Sequence, residues 1–293
     1  MARGPGSWAN FASPILSFSV WLATWPSRVL RLHWPSGGTS VAARRQKDRT
    51  VEKLEVVADV PDRAMVIFAH PDDAEIGSGG VVAGWVAAGC EVTYVLCTDG
   101  GAGTADRSLS PEQLAERRAA EQRAAADFMG VKHLVTLGYP DGGLEDSREF
   151  RADLVRAIRA HRPHTVFAHD PYRIRSFQHR DHRVAGIVTT DAVYPFARDH
   201  LHFPEQVTDE GLEPHKVREL WYWGPDEPDV IVDVTHSIDK QIAALVRHES
   251  QVPGLNVASG QTIEQRVKKG AAELAQGYGF TYGAAFRRLI ARR

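Results

Sequence analysis

The sequence predicts an α/β fold: a mostly parallel sheet with helices on both faces and a site at the carboxyl edge of the strands. Three observations point there. Short apolar runs alternate with stretches of helical length and period between residues 64 and 193. Run after run ends in an acid or a histidine: Ala69-His70-Pro71-Asp72-Asp73, Thr98-Asp99-Gly100-Gly101, Pro140-Asp141-Gly142-Gly143 and His169-Asp170-Pro171. In an open parallel sheet the carboxyl ends of the strands are where ligands bind, so this repetition marks one edge as chemical.

Taken in order, Ala64-Met65-Val66-Ile67-Phe68-Ala69 reads as a buried strand. Gly77-Ser78-Gly79-Gly80 opens a helix that runs to about Gly89, its C′ glycine. Strand, glycines and helix together invite a Rossmann-like dinucleotide reading, but Val82 stands where the third glycine should be, and close helix packing explains the glycines better. Glu91 to Thr98 is a second strand, and Asp99 after it either shapes the site or simply turns the chain. Ser110 as N-cap, Pro111 at N1 and Gln113 at N3 start an Ala-rich helix ending at Gly130. On it lie Arg117 and Arg118; most arginines on such helices are solvated. His133 to Leu137 is a third strand, Ser147 to His161 a helix, and Thr165 to Ala168 a fourth strand.

A basic loop, Tyr172 to Gln178, delivers His179-Arg180-Asp181-His182, and a helix runs from Arg183 to about Val193. Residues 195–215 read as an irregular lid or substrate loop, with His200, His202 and His215 as weak ligand candidates. Val217 to Trp223 and Val230 to Val234 read as edge strands. Ser237 to His248 is an amphipathic helix, with Ile238, Ile242 and Leu245 on one face. His248 at its end has a structural reading that rivals a site role. A last helix covers about Thr262 to Gln276. The tail from Phe280 is a candidate for docking or for homo-oligomer assembly.

The two motifs carry the chemistry. Two carboxylates beside an imidazole are costly to hold together unless a cation or a proton compensates them. With His70 and Asp73 turned to one side, Asp72 is free to move protons. His70, Asp73 and one of His179 or His182 make a two-His, one-carboxylate set with a position left for water, the ligand count of a catalytic zinc. Ferrous iron uses the same set. Asp72 then serves as general base, and Asp181 as the carboxylate that orients a histidine.

Composition narrows the field further. The 293 residues are 43% hydrophobic and 25% charged, which suits one large α/β domain. Residues 1–50 hold seven basic side chains against one acid, a balance of +6, so the remainder carries −8 of the formal net −2. An acidic body offers no stripe for a phosphate backbone, and nucleic acid is not an expected partner. Cys90 and Cys97, both in or beside apolar runs, read as buried thiols and fit a reducing cytoplasm. Residues 1–58 read as an extension before a domain of residues 59–293. Disordered tail, translated sequence upstream of a misplaced start, and targeting segment compete for it. Its apolar patch, Phe11 to Trp25, is short for a membrane span, which needs about 20 residues, so no membrane is expected.

Between about residues 60 and 290 the chain resembles the LmbE-like, or PIG-L, family of zinc-dependent N-acetylglucosaminyl deacetylases. The resemblance rests on Ala69-His70-Pro71-Asp72-Asp73 and His179-Arg180-Asp181-His182. Thr98-Asp99-Gly100-Gly101, Gly138-Tyr139-Pro140-Asp141-Gly142 and His248-Glu249-Ser250-Gln251 support it. It implies His70, Asp73 and His182 as zinc ligands, Asp72 as general base and a protonated His179 as oxyanion stabiliser, and that one of Arg117 and Arg118 reaches toward the site. It also implies an N-acetylglucosamine-type conjugate as substrate, its N-acetyl group removed through a metal-activated water. Arg180 replaces a common proline, and Ala284 stands where many relatives carry an acid. The alternatives are an amidase cleaving a thiol conjugate on the same scaffold and a non-hydrolytic, Rossmann-like nucleotide-binding protein.

Overall fold

The computed structural model describes residues 53–252 and 260–291, all within one compact unit, residues 53–293. Its eight strands form one sheet in the order β1-β7-β8-β6-β5-β2-β3-β4. They are β1 Glu55–Val56, β2 Arg63–Phe68, β3 Glu91–Thr98, β4 His133–Tyr139, β5 Thr165–His169, β6 Glu219–Trp223, β7 Val230–Asp233 and β8 Gly283–Ile290. Every pairing is parallel except those of β8, which lies antiparallel between β6 and β7.

The apolar runs are continuous because both faces of the sheet are covered. Successive side chains of β2 point to opposite sides. Val66 and Phe68 join a core with Val81, Val82 and Trp85 of α1 (Asp73–Ala87) and Ala126 and Met129 of α2 (Pro111–Met129). Met65 and Ile67 join the other, with Phe150 and Leu154 of α3 (Arg148–His161) and Ala185 and Val188 of α4 (Arg180–Val193). Helix α2 starts on the capping box of Ser110 and Gln113 that the sequence predicts. The Gly77–Gly80 segment of α1 packs tightly. A Cβ on Gly77 would lie 2.5 Å from the Trp223 ring, on Gly79 2.8 Å from Gln241, and on Gly80 3.1 Å from Val234. These glycines seat the side chains of Trp223, Gln241 and Val234 against the helix.

Four expectations need correction. The strands β6 and β7 are interior, because the C-terminal tail docks between them as β8. Residues 53–58 belong to the body: Glu55 and Val56 pair with Val230 and Ile231, a strand too short to show a hydrophobic pattern. The rest of the extension, residues 1–52, lies outside the described residues. Helix α4 starts at Arg180, not after His182, because the His179 imidazole caps it by accepting the Asp181 N–H. Residues 195–215 are not a lid. Buried Arg159, near the end of α3, donates to the carbonyls of Phe196, Ala197, Asp199, His202 and Phe203. His215 bonds to the Pro163 carbonyl. This gathers the segment, which includes a 3₁₀ turn (Phe196–Arg198) and α5 (Pro204–Thr208), at the amino edge of the sheet.

The remaining helices among the described residues are α6 (Ile238–Leu245) and α7 (Ile263–Leu274). No helix among the described residues is long and apolar enough to cross a membrane. Cys90 and Cys97 are free and buried.

Candidate active site

Strand β2 ends at Phe68, and the next four residues turn the chain into α1. The turn depends on Asp72, whose φ of 97° is left-handed, a region that non-glycine residues enter at a cost. An aspartate at a helix N-cap ordinarily accepts an N–H of the first turn. Asp72 occupies the N-cap of α1 but makes no side-chain cap bond, so its carboxylate is free to face the site. Buried Arg118 braces the turn. It donates to the carbonyls of Pro71 at 2.8 Å and Gly100 at 3.1 Å and lies 3.8 Å from Asp72 Oδ2. Gly100 is required beside it, because a Cβ there would lie 2.8 Å from Pro71.

Asp73 is the first residue of α1. Its Oδ2 accepts the His70 N–H at 2.7 Å. Helix α4 brings His182 across, and Gly186 one turn later allows this approach: a Cβ there would lie 2.5 Å from the His169 carbonyl oxygen. As a result His70 Nδ1 is 3.1 Å from His182 Nε2 and 3.4 Å from Asp73 Oδ2, and His182 Nε2 is 3.3 Å from Asp73 Oδ1. Ligand atoms on a tetrahedral zinc, with bonds of 2.0–2.1 Å, are separated by about 3.3 Å. The three side chains therefore stand at the spacing that a metal needs. The other nitrogen of His70, Nε2, lies 3.2 Å from Asp181 Oδ2 and 3.2 Å from Asp141 Oδ1, the partners that fix a ligand's tautomer. Asp181, on the first turn of α4, also accepts the N–H groups of Gly142 and Leu144, and Arg180 bonds to the Leu144 carbonyl. Asp99 shapes the same edge, its Oδ1 accepting the N–H groups of Gly101 and Asp141.

Sequence reasoning missed His169. It is buried at the end of β5, with Nε2 3.3 Å from Asp73 Oδ2 and its ring stacked on His182 at 4.0 Å. Other converging donor sets share these residues: Asp73, His169 and His182; His70, His179 and His182; and His70, Asp141 and Asp181. The signal was the strand terminus itself: His169 ends β5 as His70 follows β2. His179 is the most exposed member, its ring 4.6 Å from that of His70.

The electrostatics match a site built for a cation. Burial disfavours charge on both Asp73 and His70. For Asp73, His169 and His182 outweigh burial and hold the carboxyl well below its usual range. For His70, Asp141 and Asp73 outweigh it and lift the imidazole to about 10. Without a metal, a proton on His70 compensates the acids. Burial and the charge of Asp73 push Asp72 up to about 7, against the pull of Arg118. Burial and the neighbouring His70 and His182 lower His179, and burial holds His169 down at about 4.

A cavity of about 610 Å³ opens on Asp73, His169 and His182 and continues past Trp223, Arg173 and Ala284. A larger one, about 980 Å³, lies at the amino edge between Tyr194, Glu219 and Ile290 and touches none of these residues.

Fold and site together define an α/β protein with a cluster of imidazoles and carboxylates competent to hold a metal at the carboxyl edge of its sheet. Residues 65–193 match the PIG-L family, described as GlcNAc-PI de-N-acetylase. The chain is 34% identical to a diacetylchitobiose deacetylase of Thermococcus kodakarensis over 191 residues, 65% of this chain and 70% of that protein. It is 36% identical over 155 residues to the 1D-myo-inositol 2-acetamido-2-deoxy-alpha-D-glucopyranoside deacetylase of Mycobacteroides abscessus, 45% of this chain and 55% of the relative. The structure of N,N'-diacetylchitobiose deacetylase from Pyrococcus horikoshii, in complex with an inhibitor, superposes with a TM-score of 0.72 at 33% identity, covering 78% of this chain and 84% of that one. The chain belongs to the PIG-L, or LmbE-like, family.

Proposed function

We propose that this protein is a metal-dependent hydrolase that removes the N-acetyl group from an N-acetylglucosamine-type conjugate. The observation that carries the reading is the convergence of His70, Asp73 and His182 at metal-ligand spacing, with Asp72 beside them and its carboxylate engaged in no cap bond. Relatives named for diacetylchitobiose and for a GlcNAc-inositol support the substrate class.

His70, Asp73 and His182 would hold the metal, which when bound supplies Lewis acidity to a water and to the amide carbonyl. Zinc suits the donor set; ferrous iron is the alternative. Asp72 takes the proton of the attacking water, a role open to a buried carboxylate that no cap bond engages. His179 donates to the developing oxyanion. The neutral ring suffices: its Nδ1 accepts the Asp181 N–H at 3.2 Å, so the remaining proton sits on Nε2. Asp72 then returns its proton to the leaving amine, and acetate and a free glucosamine are released. Asp181 orients His70 and holds the Gly142–Leu144 turn. The free, buried Cys90 and Cys97 suit the reducing cytoplasm we propose as its setting.

The test is zinc-loaded and chelated protein with N,N'-diacetylchitobiose, a GlcNAc-inositol and an N-acetylated thiol conjugate, read as free amine and acetate. Metal-dependent amine release from the sugars supports the reading. Release from the thiol conjugate alone favours the amidase. No release from any, or full activity after chelation, contradicts the proposed function.

A further inference from the structure

We infer that Gln122 and His248, acting through Glu75, are positioning residues for Asp72; the inference rests on the assignment of Asp72 as general base. The three side chains form one buried chain, each with 0% exposure. Gln122, on α2, accepts the Asp72 N–H on Oε1 at 3.0 Å. Its Nε2 donates to the Glu75 carboxylate, at 3.1 Å to one oxygen and 3.4 Å to the other. His248 Nε2 lies 3.2 Å from Glu75 Oε2.

The chemistry of an amide gives this chain a direction. Gln122 has one acceptor end and one donor end. Because the Glu75 carboxylate takes the donor end, the acceptor end is committed to Asp72. If the amide turned over, its oxygen would face a carboxylate and its NH₂ would face the Asp72 N–H. Glu75 thus fixes which end of Gln122 meets the backbone at 72, and His248 fixes Glu75.

What this holds is the least comfortable backbone in the site. Asp72 sits at φ 97° without a side-chain cap bond, and that conformation is what leaves its carboxylate free. A strained residue keeps its geometry only when its surroundings over-determine it. Arg118 and Gln122 grip the two polar ends of the Pro71–Asp72 peptide unit, one its carbonyl and the other its N–H. The His248-Glu249-Ser250 segment supplies the rest. Ser250 donates from N and Oγ to Glu121 at 2.8 and 2.6 Å, which pins α2 in the register that points Gln122 at Asp72. A motif some 175 residues from Asp72 in the chain is thereby tied to the geometry of the base.

Two variants test this. Gln122→Leu removes both ends of the amide. The exchanged pair Glu75→Gln with Gln122→Glu keeps the chain's connections: the carboxylate introduced at 122 accepts the Asp72 N–H, and the amide introduced at 75 donates to it and leaves its oxygen for His248. Gln122→Leu should lower kcat by about 10–100-fold, the cost of misplacing a reacting group by an ångström or less. KM and metal content should stay within about twofold of the parent. Hydrogen exchange at the Asp72 amide should accelerate in the metal-free protein. The exchanged pair should keep that amide protected and recover kcat to within about tenfold of the parent. The inference is overturned if Gln122→Leu keeps full kcat, or if the exchanged pair folds and loads metal yet is as slow as Gln122→Leu or leaves the amide unprotected. Should Gln122→Leu not fold, the exchanged pair decides by the same criteria against the parent. A parent inactive on every acetylated sugar defeats the proposed function instead, and amide exchange in the two variants still tests the hold on Asp72.

Discussion

Asp181 Oδ2 lies 3.2 Å from His70 Nε2 and accepts the Gly142 N–H at 2.7 Å, so one buried carboxylate fixes both the tautomer of His70 and the loop beside it. His70 is thereby left with Nδ1 facing Asp73 and His182. Asp181→Ala should lower zinc affinity by about 10–100-fold, the usual effect of losing such a partner. Competition against a chelator of known affinity measures it. Unchanged affinity would mean that Asp141, equally close to His70, does the work alone.

Metal uptake should release protons. His70 is lifted to about 10, so it is protonated at neutral pH in metal-free protein, and binding through Nδ1 expels that proton. Asp72, held near 7, is about half protonated there, and a neighbouring cation draws its proton off as well. Titration calorimetry in buffers of different ionisation enthalpy should therefore find between one and two protons released per metal at about pH 7, with apparent affinity rising with pH. No proton release would place the metal away from His70. The same shift sets a stability trend. A histidine raised above its ordinary 6.5 contributes stability that is complete below that value and lost as pH rises toward 10, so metal-free protein should become less stable over that window.

His70 and His169 compete for the third ligand position, and metal content after dialysis separates them. Asp73→Ala and His182→Ala should both lose the metal, since Asp73 and His182 are common to the arrangement with His70 and to the one with His169. His169→Ala should retain it while His70→Ala does not. The reverse pattern would move the site toward β5.

The parallel sheet and its chemical edge were legible because β2, β3, β4 and β5 are apolar runs that end in, or lead directly into, an acid or histidine. His70, Asp72, Asp73, Asp181 and His182 were legible because they sit close together in two short motifs. His169 was not, since a histidine at a strand end is common and only the fold brings it against Asp73. Gln122 and Glu75 were hidden for a related reason: their partners are 50 and 173 residues away along the chain. Arg118 was not told apart from Arg117 because helical spacing says nothing about the carbonyls of a loop from another strand. The interior place of β6 and β7 depends on β8, which arrives from the C-terminus against the direction of its neighbours. No local pattern encodes that insertion.

Gly77→Ala separates packing from phosphate binding as the reason for the glycines of α1. An added methyl would lie 2.5–2.6 Å from the Trp223 ring, which packs 4.5 Å from His169. Overpacking of this kind costs about 1–3 kcal/mol. In an open helix the same change would stabilise by up to about 1 kcal/mol. Denaturant unfolding gives the sign, and a stabilised variant would remove the packing explanation.

The central claim is that two adjacent aspartates divide the work, Asp73 holding the metal and Asp72 the proton. Asp72→Asn keeps size and polarity and leaves the ligand set intact. The measurement is turnover on an N-acetylated sugar beside metal content in the same preparation. The account predicts zinc near that of the parent and turnover lower by about 10²–10⁴, the range for a general base. Loss of zinc would reverse the two roles. Retention of both zinc and full turnover would contradict the account, since the attacking water would then need no carboxylate base.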